Sequence, residues 1–267
     1  MIRLGLGLRG RANRIAKEFH YLLRNTILRP RVFKLDSLER VGCIYREPSD
    51  MGVTDRLLLF ALVRGLRPTH ALEIGMRWGG SARIITNAME ENGEGALVGI
   101  DPETDAFRVP AAELHGRYTL IRGYSPEAIP KAMATAGMEN FDFVFIDALH
   151  THDAVKKDLA GVLPYLADGA HIILHDTFHQ GVNQAVEEFV AASESIVDCG
   201  FLSRDPSFLG PVGYNGLRML RHREVKSRKL IAEAFARKGR PEPSFDPEIW
   251  NWDEYQNRIT KAHHDRA

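Results

Sequence analysis

The chain is 267 residues long, enough for one large α/β domain with additions at its ends. Its 35 Lys and Arg balance 35 Asp and Glu, which argues against a nucleic-acid-binding surface as its main business. A hydrophobic content of 44% excludes a disordered chain, no apolar run approaches the roughly 18 residues of a membrane span, and the N-terminus has no apolar signal core, so the expected location is the cytoplasm. Cys43 and Cys199 stand in no metal-ligand or redox spacing and read as incidental thiols of a reducing compartment.

The first 40 residues are basic, and Ala12–Leu28 reads as an amphipathic helix carrying Ile15, Phe19, Leu22, Leu23 and Ile27. Such a helix packs on its own domain or on a second subunit, or lies on an anionic membrane surface. Pro30–Pro48 is an irregular connector. Thr54–Leu66 is a helix with Thr54 as its N-cap, stopped by Arg67-Pro68. Short apolar strands follow at Ala71–Ile74, Ala96–Ile100 and Tyr118–Ile121, separated by helices over Ser81–Glu91 and Pro126–Ala136. Phe141–Ile146 and Ala170–Leu174 are further apolar strands with a helical stretch between them. A helix over Val182–Ala192, a strand over Ser195–Phe201, a Gly/Pro loop over Ser203–Gly216 and a last strand over Leu217–Leu220 complete the pattern. The strand–helix alternation predicts a doubly wound, Rossmann-like α/β sheet with helical additions at both ends. Three parts result: a basic helical extension over residues 1–50, the α/β domain over 51–221, and a helical tail over 222–267.

Two places carry chemistry. The first is Glu73-Ile74-Gly75-Met76-Arg77-Trp78-Gly79-Gly80-Ser81, a glycine turn between a buried strand and a helix, where backbone can approach a ligand and helix N–H groups are exposed. The spacing is G-x-x-x-G and not the dinucleotide G-x-G-x-x-G. Asp101, at the end of the next strand, is placed to accept hydrogen bonds from ribose hydroxyls. The plain alternative is an ordinary strand–turn–helix with a capping Asp. The second place is the pair of strand ends that carry Asp147 with His150, and His175 with Asp176. Strands apolar throughout are buried on both faces of a parallel sheet, and ligands bind at the carboxyl ends of such strands.

On these residues (Glu73-x-Gly75-x-x-x-Gly79-x-Ser81, Val98–Asp101, Phe141–Asp147 with His150, and His175-Asp176) the chain resembles the class I S-adenosylmethionine-dependent methyltransferases. Within them it is similar to the metal-dependent O-methyltransferases that act on sugar hydroxyls of macrolides, and to the group that includes cephalosporin-hydroxylase-like proteins. The resemblance spans about Thr54 to Leu220. It implies a seven-stranded, mostly parallel sheet, with S-adenosylmethionine bound by the turn of Glu73, Gly75, Gly79 and Ser81. Asp101 would hold the ribose, Tyr124 and Ser125 would lie near the adenine, and Asp147 would border the cofactor as well as the metal.

The two aspartates, Asp147 and Asp176, are hard oxygen ligands suited to Mg²⁺. The resemblance implies the same role for them, and it casts His150 as the general base. His150's ordinary pKa near 6.5 suits that task. His175 departs from the metal-dependent relatives, whose corresponding position carries an acidic or amide ligand. As a ligand it would favour Mn²⁺ or another transition metal over Mg²⁺; otherwise it bonds substrate or packs beneath the site.

Further expectations concern neighbouring side chains. His171 is structural, His152 and His179 flank the site on loops, Asp153 caps the helix after His150, and Asp158 is solvated or salt-bridged. Trp78 covers the cofactor or packs, and Phe208 and Tyr214 border an acceptor pocket or belong to a surface hairpin. The expected activity is an S-adenosylmethionine-dependent, divalent-metal-dependent O-methyltransferase acting on a hydroxyl of a small molecule or glycoside, assembled as a homo-oligomer. The rival readings are a metal-dependent hydroxylase or oxygenase and a non-catalytic S-adenosylmethionine-binding protein.

Overall fold

The computed structural model describes residues 41–204 and 215–223. The helix expected over Ala12–Leu28, the loop residues Phe208 and Tyr214, and the tail from residue 224 onward lie outside the described residues. Two compact units divide after Tyr45. The described part of the first is a 3-10 turn, Gly42–Tyr45. The second holds the sheet. Among the described residues no helix is long and apolar enough to cross a membrane.

Seven strands form one sheet: β1 (His70–Ile74), β2 (Ala96–Asp101), β3 (Tyr118–Arg122), β4 (Phe141–Ile146), β5 (Leu166–Leu174), β6 (Ile196–Phe201) and β7 (Arg218–His222). Their order is β3-β2-β1-β4-β5-β7-β6, parallel except for β7, which runs antiparallel to both neighbours. Among the described residues five α-helices accompany them, α1 (Val53–Leu66) before β1 and α2 (Gly80–Asn92), α3 (Ile129–Ala136), α4 (His152–Val162) and α5 (Gln180–Ala192) between strands. This is the expected doubly wound α/β architecture, with its seven mostly parallel strands. The strand order reverses between β1 and β4, which opens a crevice at their carboxyl ends.

The apolar strand runs are buried as their composition predicts. Leu72, Val98, Val144 and Ile172 lie fully buried in one cluster running across the sheet. Register then does the work that matters for the site. Ile74 pairs with Ile100 and with Ile146, and Ile146 pairs with Leu174. The next residues of these strands, Gly75, Asp147 and His175, therefore stand in one row, joined by Gly75 N–H to Ile100 O (3.0 Å), Asp147 N–H to Ile74 O (2.9 Å) and His175 N–H to Ile146 O (3.0 Å).

Several boundaries differ from the sequence expectation. Gly52, and not Thr54, stands at the N-cap of α1, with no side-chain cap; the helix starts one residue earlier, which puts Thr54 in its first turn. Residues 125–128 form a turn, so α3 begins at Ile129 and not at Pro126. β5 begins at Leu166 and not at Ala170, because a register shift between Phe141 and Phe143 absorbs Asp168-Gly169 as a bulge, with Gly169 at φ 83°. His171 consequently sits within β5, paired with Phe143 and Arg221, and not at the start of the strand. Thr151, not Asp153, caps α4, its hydroxyl accepting the Ala154 N–H at 3.4 Å.

Candidate active site

The glycine turn between β1 and α2 is shaped by two close approaches. Gly75 has φ 81°, and a Cβ there would lie 2.5 Å from the Asp147 carbonyl oxygen. Gly79 has φ 88° at the N-cap of α2, and a Cβ there would lie 2.5 Å from the Phe107 ring. Only glycine satisfies both the backbone angle and the packing at these points. The open end of α2 therefore meets the ends of β1 and β4 with no side chain between them.

Asp101 builds this turn. Its Oδ2 accepts the Met76 and Arg77 N–H groups, each at 3.0 Å, and its Oδ1 accepts the Glu103 N–H at 2.7 Å. The carboxylate, 8% exposed, thus braces the turn it was expected to complement. Trp78 is half-buried with the Arg77 guanidinium 4.5 Å over its ring. Tyr124 is well exposed and, with Gly123, Glu127 and Ala128, lines an open depression beyond the end of β3.

Glu73 is fully buried behind the turn. The Ser81 hydroxyl donates to its Oε1, and its Oε2 has no partner. Burial, aided by the charges of Asp147 and Asp101 and opposed by the Ser81 bond, pushes its pKa from 4.5 up to about 8. The folded protein therefore holds this proton between those two values while the unfolded chain does not. Its stability contribution is complete below pH 4.5 and is lost as pH rises toward 8. At about 1.4 kcal/mol per unit the loss is at most about 5 kcal/mol. Glu73→Gln, which keeps the neutral shape, is expected to flatten the fall in thermal stability of the ligand-free protein between pH 5 and 9. Parallel melting-temperature profiles for the two proteins would contradict a protonated Glu73.

Four side chains converge where β4 and β5 end. His175 Nδ1 lies 3.2 Å from Asp147 Oδ1 and 3.4 Å from Asp176 Oδ1. His150 Nε2 lies 3.2 Å from Asp176 Oδ2 and 3.5 Å from Asp147 Oδ1. Asp176 is held at φ 52°, a left-handed conformation that turns its side chain back into the cluster. The sequence set of Asp147, His150, His175 and Asp176 is thus brought together.

Electrostatics follow from the geometry. Burial opposes ionisation of Asp147, but His175 and His150 outweigh it and hold the carboxyl well below its ordinary range. His175 is 3% exposed; burial would lower its pKa, yet Asp147, Asp55 and Asp176 raise it well above the usual value. Contact with Asp147 and the charge of Asp176 raise His150 against its own burial. Burial raises Asp176 despite the charges of His175 and His150. The ligand-free cluster is a carboxylate–imidazole network.

Donor atoms of Asp147, His175 and Asp176 all lie within 4.8 Å of one another, and Asp176 Oδ1 is buried with no hydrogen-bond partner. Two carboxylates and one imidazole nitrogen at this separation fit a divalent cation. The turn fits an adenosyl ligand equally well, with bare glycines at the helix end and an unpartnered carboxyl oxygen on Glu73.

Asp55 is the member that sequence reasoning missed. It is fully buried in the first turn of α1, with its Oδ2 3.3 Å from His175 Nε2. The signal was present: Asp55, Leu59 and Val63 form one buried stripe at helical spacing, so an acid stands in a core position.

Other candidates fall outside the cluster. His152 engages Asp153 and Glu188, each at 3.0 Å. His179 caps α5, its Nδ1 accepting the Gly181 N–H at 3.2 Å, with its ring 5.8 Å from that of His150. Asp158 is buried and forms no ion pair among the described residues. It is 5% exposed, and burial raises its carboxyl from 3.8 to about 6, partly offset by the Ser125 hydroxyl.

Residues 72–177, the span that contains the turn and the whole cluster except Asp55, match a family model described as a methyltransferase domain. The fold is shared with the O-methyltransferase of Bacillus cereus in complex with SAH, at 20% identity and a TM-score of 0.53, over 76% of this chain and 96% of that one. It is shared with TomG of Streptomyces achromogenes, an O-methyltransferase involved in tomaymycin synthesis and solved with SAM, at 19% identity and a TM-score of 0.54, over 76% and 95%. A putative O-methyltransferase of Klebsiella pneumoniae aligns at 22% identity with a TM-score of 0.52, over 77% and 96%. Residues 72–177 thus match a methyltransferase domain, and the chain shares its fold with these O-methyltransferases.

Proposed function

We propose that the protein transfers the methyl of S-adenosylmethionine to a hydroxyl of a small molecule or glycoside, with a divalent cation held by Asp147, Asp176 and His175. The observation that carries this reading is the row in which Gly75, Asp147 and His175 stand level, so that the glycine turn and the acid–imidazole cluster share one crevice. Oxygen as the acceptor atom is supported by the structural neighbours described as O-methyltransferases. Two aspartates alone suit Mg²⁺; the imidazole turns the preference toward Mn²⁺ or another transition metal.

When bound, the cofactor supplies a methyl on a neutral leaving group, and the cation lowers the pKa of a coordinated hydroxyl. The chain's own residues do the rest. Glu73 and Ser81 sit beneath the turn, Gly75 and Gly79 keep its surface clear, and Asp101 braces it with three accepted N–H bonds, which leaves one lone pair on Oδ1 for a ribose hydroxyl. His150, 37% exposed and facing both aspartates, accepts the hydroxyl proton at Nε2. Alignment of acceptor oxygen and methyl supplies several kcal/mol of the barrier.

The test is transfer from methyl-labelled S-adenosylmethionine to a panel of vicinal diols, catechols and glycosides, before and after chelation and with Mn²⁺ or Mg²⁺ restored. The expected product is a labelled methyl ether, lost on chelation and regained with metal. Label appearing only on nitrogen or carbon acceptors removes the oxygen assignment, and chelator-insensitive transfer removes the cation. One imidazole with two carboxylates is also a donor set for redox-active iron. Stoichiometric iron in fresh protein with oxygen consumption would favour the hydroxylase reading, and SAH binding without turnover on any acceptor would favour a binding protein. Homo-oligomerisation, membrane contact and a cytoplasmic location are proposals that rest on the sequence pattern alone.

A further inference from the structure

Asp55 offers two acceptor oxygens in a fully buried position, and both are committed. Ser203 Oγ lies 2.5 Å from Oδ1 and at the same time accepts the Leu217 N–H at 2.9 Å. A hydroxyl that accepts from a backbone amide has its own hydrogen to give, so Ser203 donates to Asp55. The other oxygen, Oδ2, faces His175 Nε2 at 3.3 Å. A carboxylate only accepts, so Nε2 carries a hydrogen and donates it. The polarity of the chain Leu217 N–H, Ser203, Asp55, His175 is thereby set from one end to the other. Nδ1 faces Asp147 Oδ1 at 3.2 Å and Asp176 Oδ1 at 3.4 Å, which also only accept, so it carries a hydrogen as well until a cation among these donors takes that hydrogen's place, while Asp55 keeps the one on Nε2.

We infer that Asp55 is the positioning residue of a cation site. It fixes the tautomer and the ring plane of His175, so that Nδ1 joins Asp147 and Asp176 around a transition-metal ion of the Mn²⁺, Co²⁺ or Zn²⁺ kind. This inference rests on the cation reading given above and deepens it. A carboxylate behind a ligating imidazole orients the ring and raises its basicity, and loss of such a partner costs about 10–100-fold in metal affinity. Ser203 holds Asp55 in turn, which ties α1 and the segment leading into β7 to the same ion.

The experiment titrates Co²⁺ into the chelated full-length protein, read by visible absorption, and SAH into the same samples, read by calorimetry. The wild type is expected to bind Co²⁺ with a spectrum that changes when His175 is replaced in His175→Gln. Asp55→Asn is expected to weaken Co²⁺ binding by about 10–100-fold and to leave the SAH affinity unchanged, since the hydrogen bonds described for Asp55 go to His175 and Ser203 and not to the glycine turn. Unchanged Co²⁺ affinity and spectrum in Asp55→Asn overturn the assignment while leaving the cation site standing. Equal failure of the wild type and Asp147→Asn to bind Co²⁺ overturns the cation reading itself, and this inference with it. Long-range proton–nitrogen spectra of the wild type with Zn²⁺ give a measurement that needs no folded Asp55 variant. A retained Nε2 proton with a metal-shifted Nδ1 on His175 is the expected result, and a ligated Nε2 or an unaffected His175 overturns it.

Discussion

Asp147→Ala is expected to lower kcat/KM for methyl transfer by at least about 10³-fold, and to leave SAH affinity within a few-fold of wild type. One oxygen of this carboxylate faces both imidazoles, and the residue contributes a donor to the candidate cation site. Its removal takes away a preorganised charge at the reacting centre, a change worth about 10²–10³-fold by itself, and takes away a ligand as well. It also strips His175, 3% exposed, of the strongest charge that stabilises its protonated form. Breaking a buried ion pair costs about 3–5 kcal/mol of stability, so the variant is expected to melt at lower temperature. Asp147→Asn, which keeps the volume and one acceptor oxygen but not the charge, is expected to keep activity low and to recover only the part of the stability that comes from packing and hydrogen bonding. Near-normal turnover in either variant with a competent acceptor would remove Asp147 from the mechanism.

His150→Ala is expected to lower kcat by about 10²–10⁴-fold, the usual contribution of a positioned general base, with Co²⁺ and SAH binding retained. Its pKa in the ligand-free protein lies above the ordinary 6.5, chiefly because Asp147 is beside it. A base acts in its unprotonated form, so activity rises with pH through the His150 ionisation and levels off above it. A cation bound to Asp147 and Asp176 neutralises the carboxylates that raise this pKa, so the rising limb in the metal-loaded enzyme falls at lower pH than the His150 titration of the metal-free protein. The comparison is between the pH profile of kcat/KM and an NMR titration of His150 in chelated protein. The rising limb is expected to disappear in His150→Ala. An unchanged limb in that variant would assign the proton transfer to another group.

Much of the architecture was legible because parallel strands buried on both faces must be apolar throughout. Ala71–Ile74, Phe141–Ile146 and Ala170–Leu174 carry one polar residue each, Glu73, Asp142 and His171, too few for the alternation of an amphipathic strand, and their order implied the winding of the sheet. The site was legible for a related reason. A residue just after such a strand lies at the sheet's carboxyl edge, so Asp147, His175 and Asp176 announced themselves by position, and Gly75 by the tight turn that a strand-to-helix passage requires. The identity of the cluster was therefore a matter of local sequence.

Other features depended on contacts between distant segments. Asp55 reaches His175 across 120 positions, and local sequence offered only the oddity of an acid on an apolar stripe. Asp158 looked like a solvated helix residue until the turn at Ser125 and Pro126 closed over α4. The true start of β5 depended on a bulge opposite β4 that allows Asp168-Gly169 to stay within the strand. By itself the sequence determined which residues end each buried strand, because burial of a whole strand is written in consecutive side chains. Only the tertiary structure decided how those ends are used, since His175's orientation and Glu73's proton are set by charges and hydrogen bonds from elements far away in the chain.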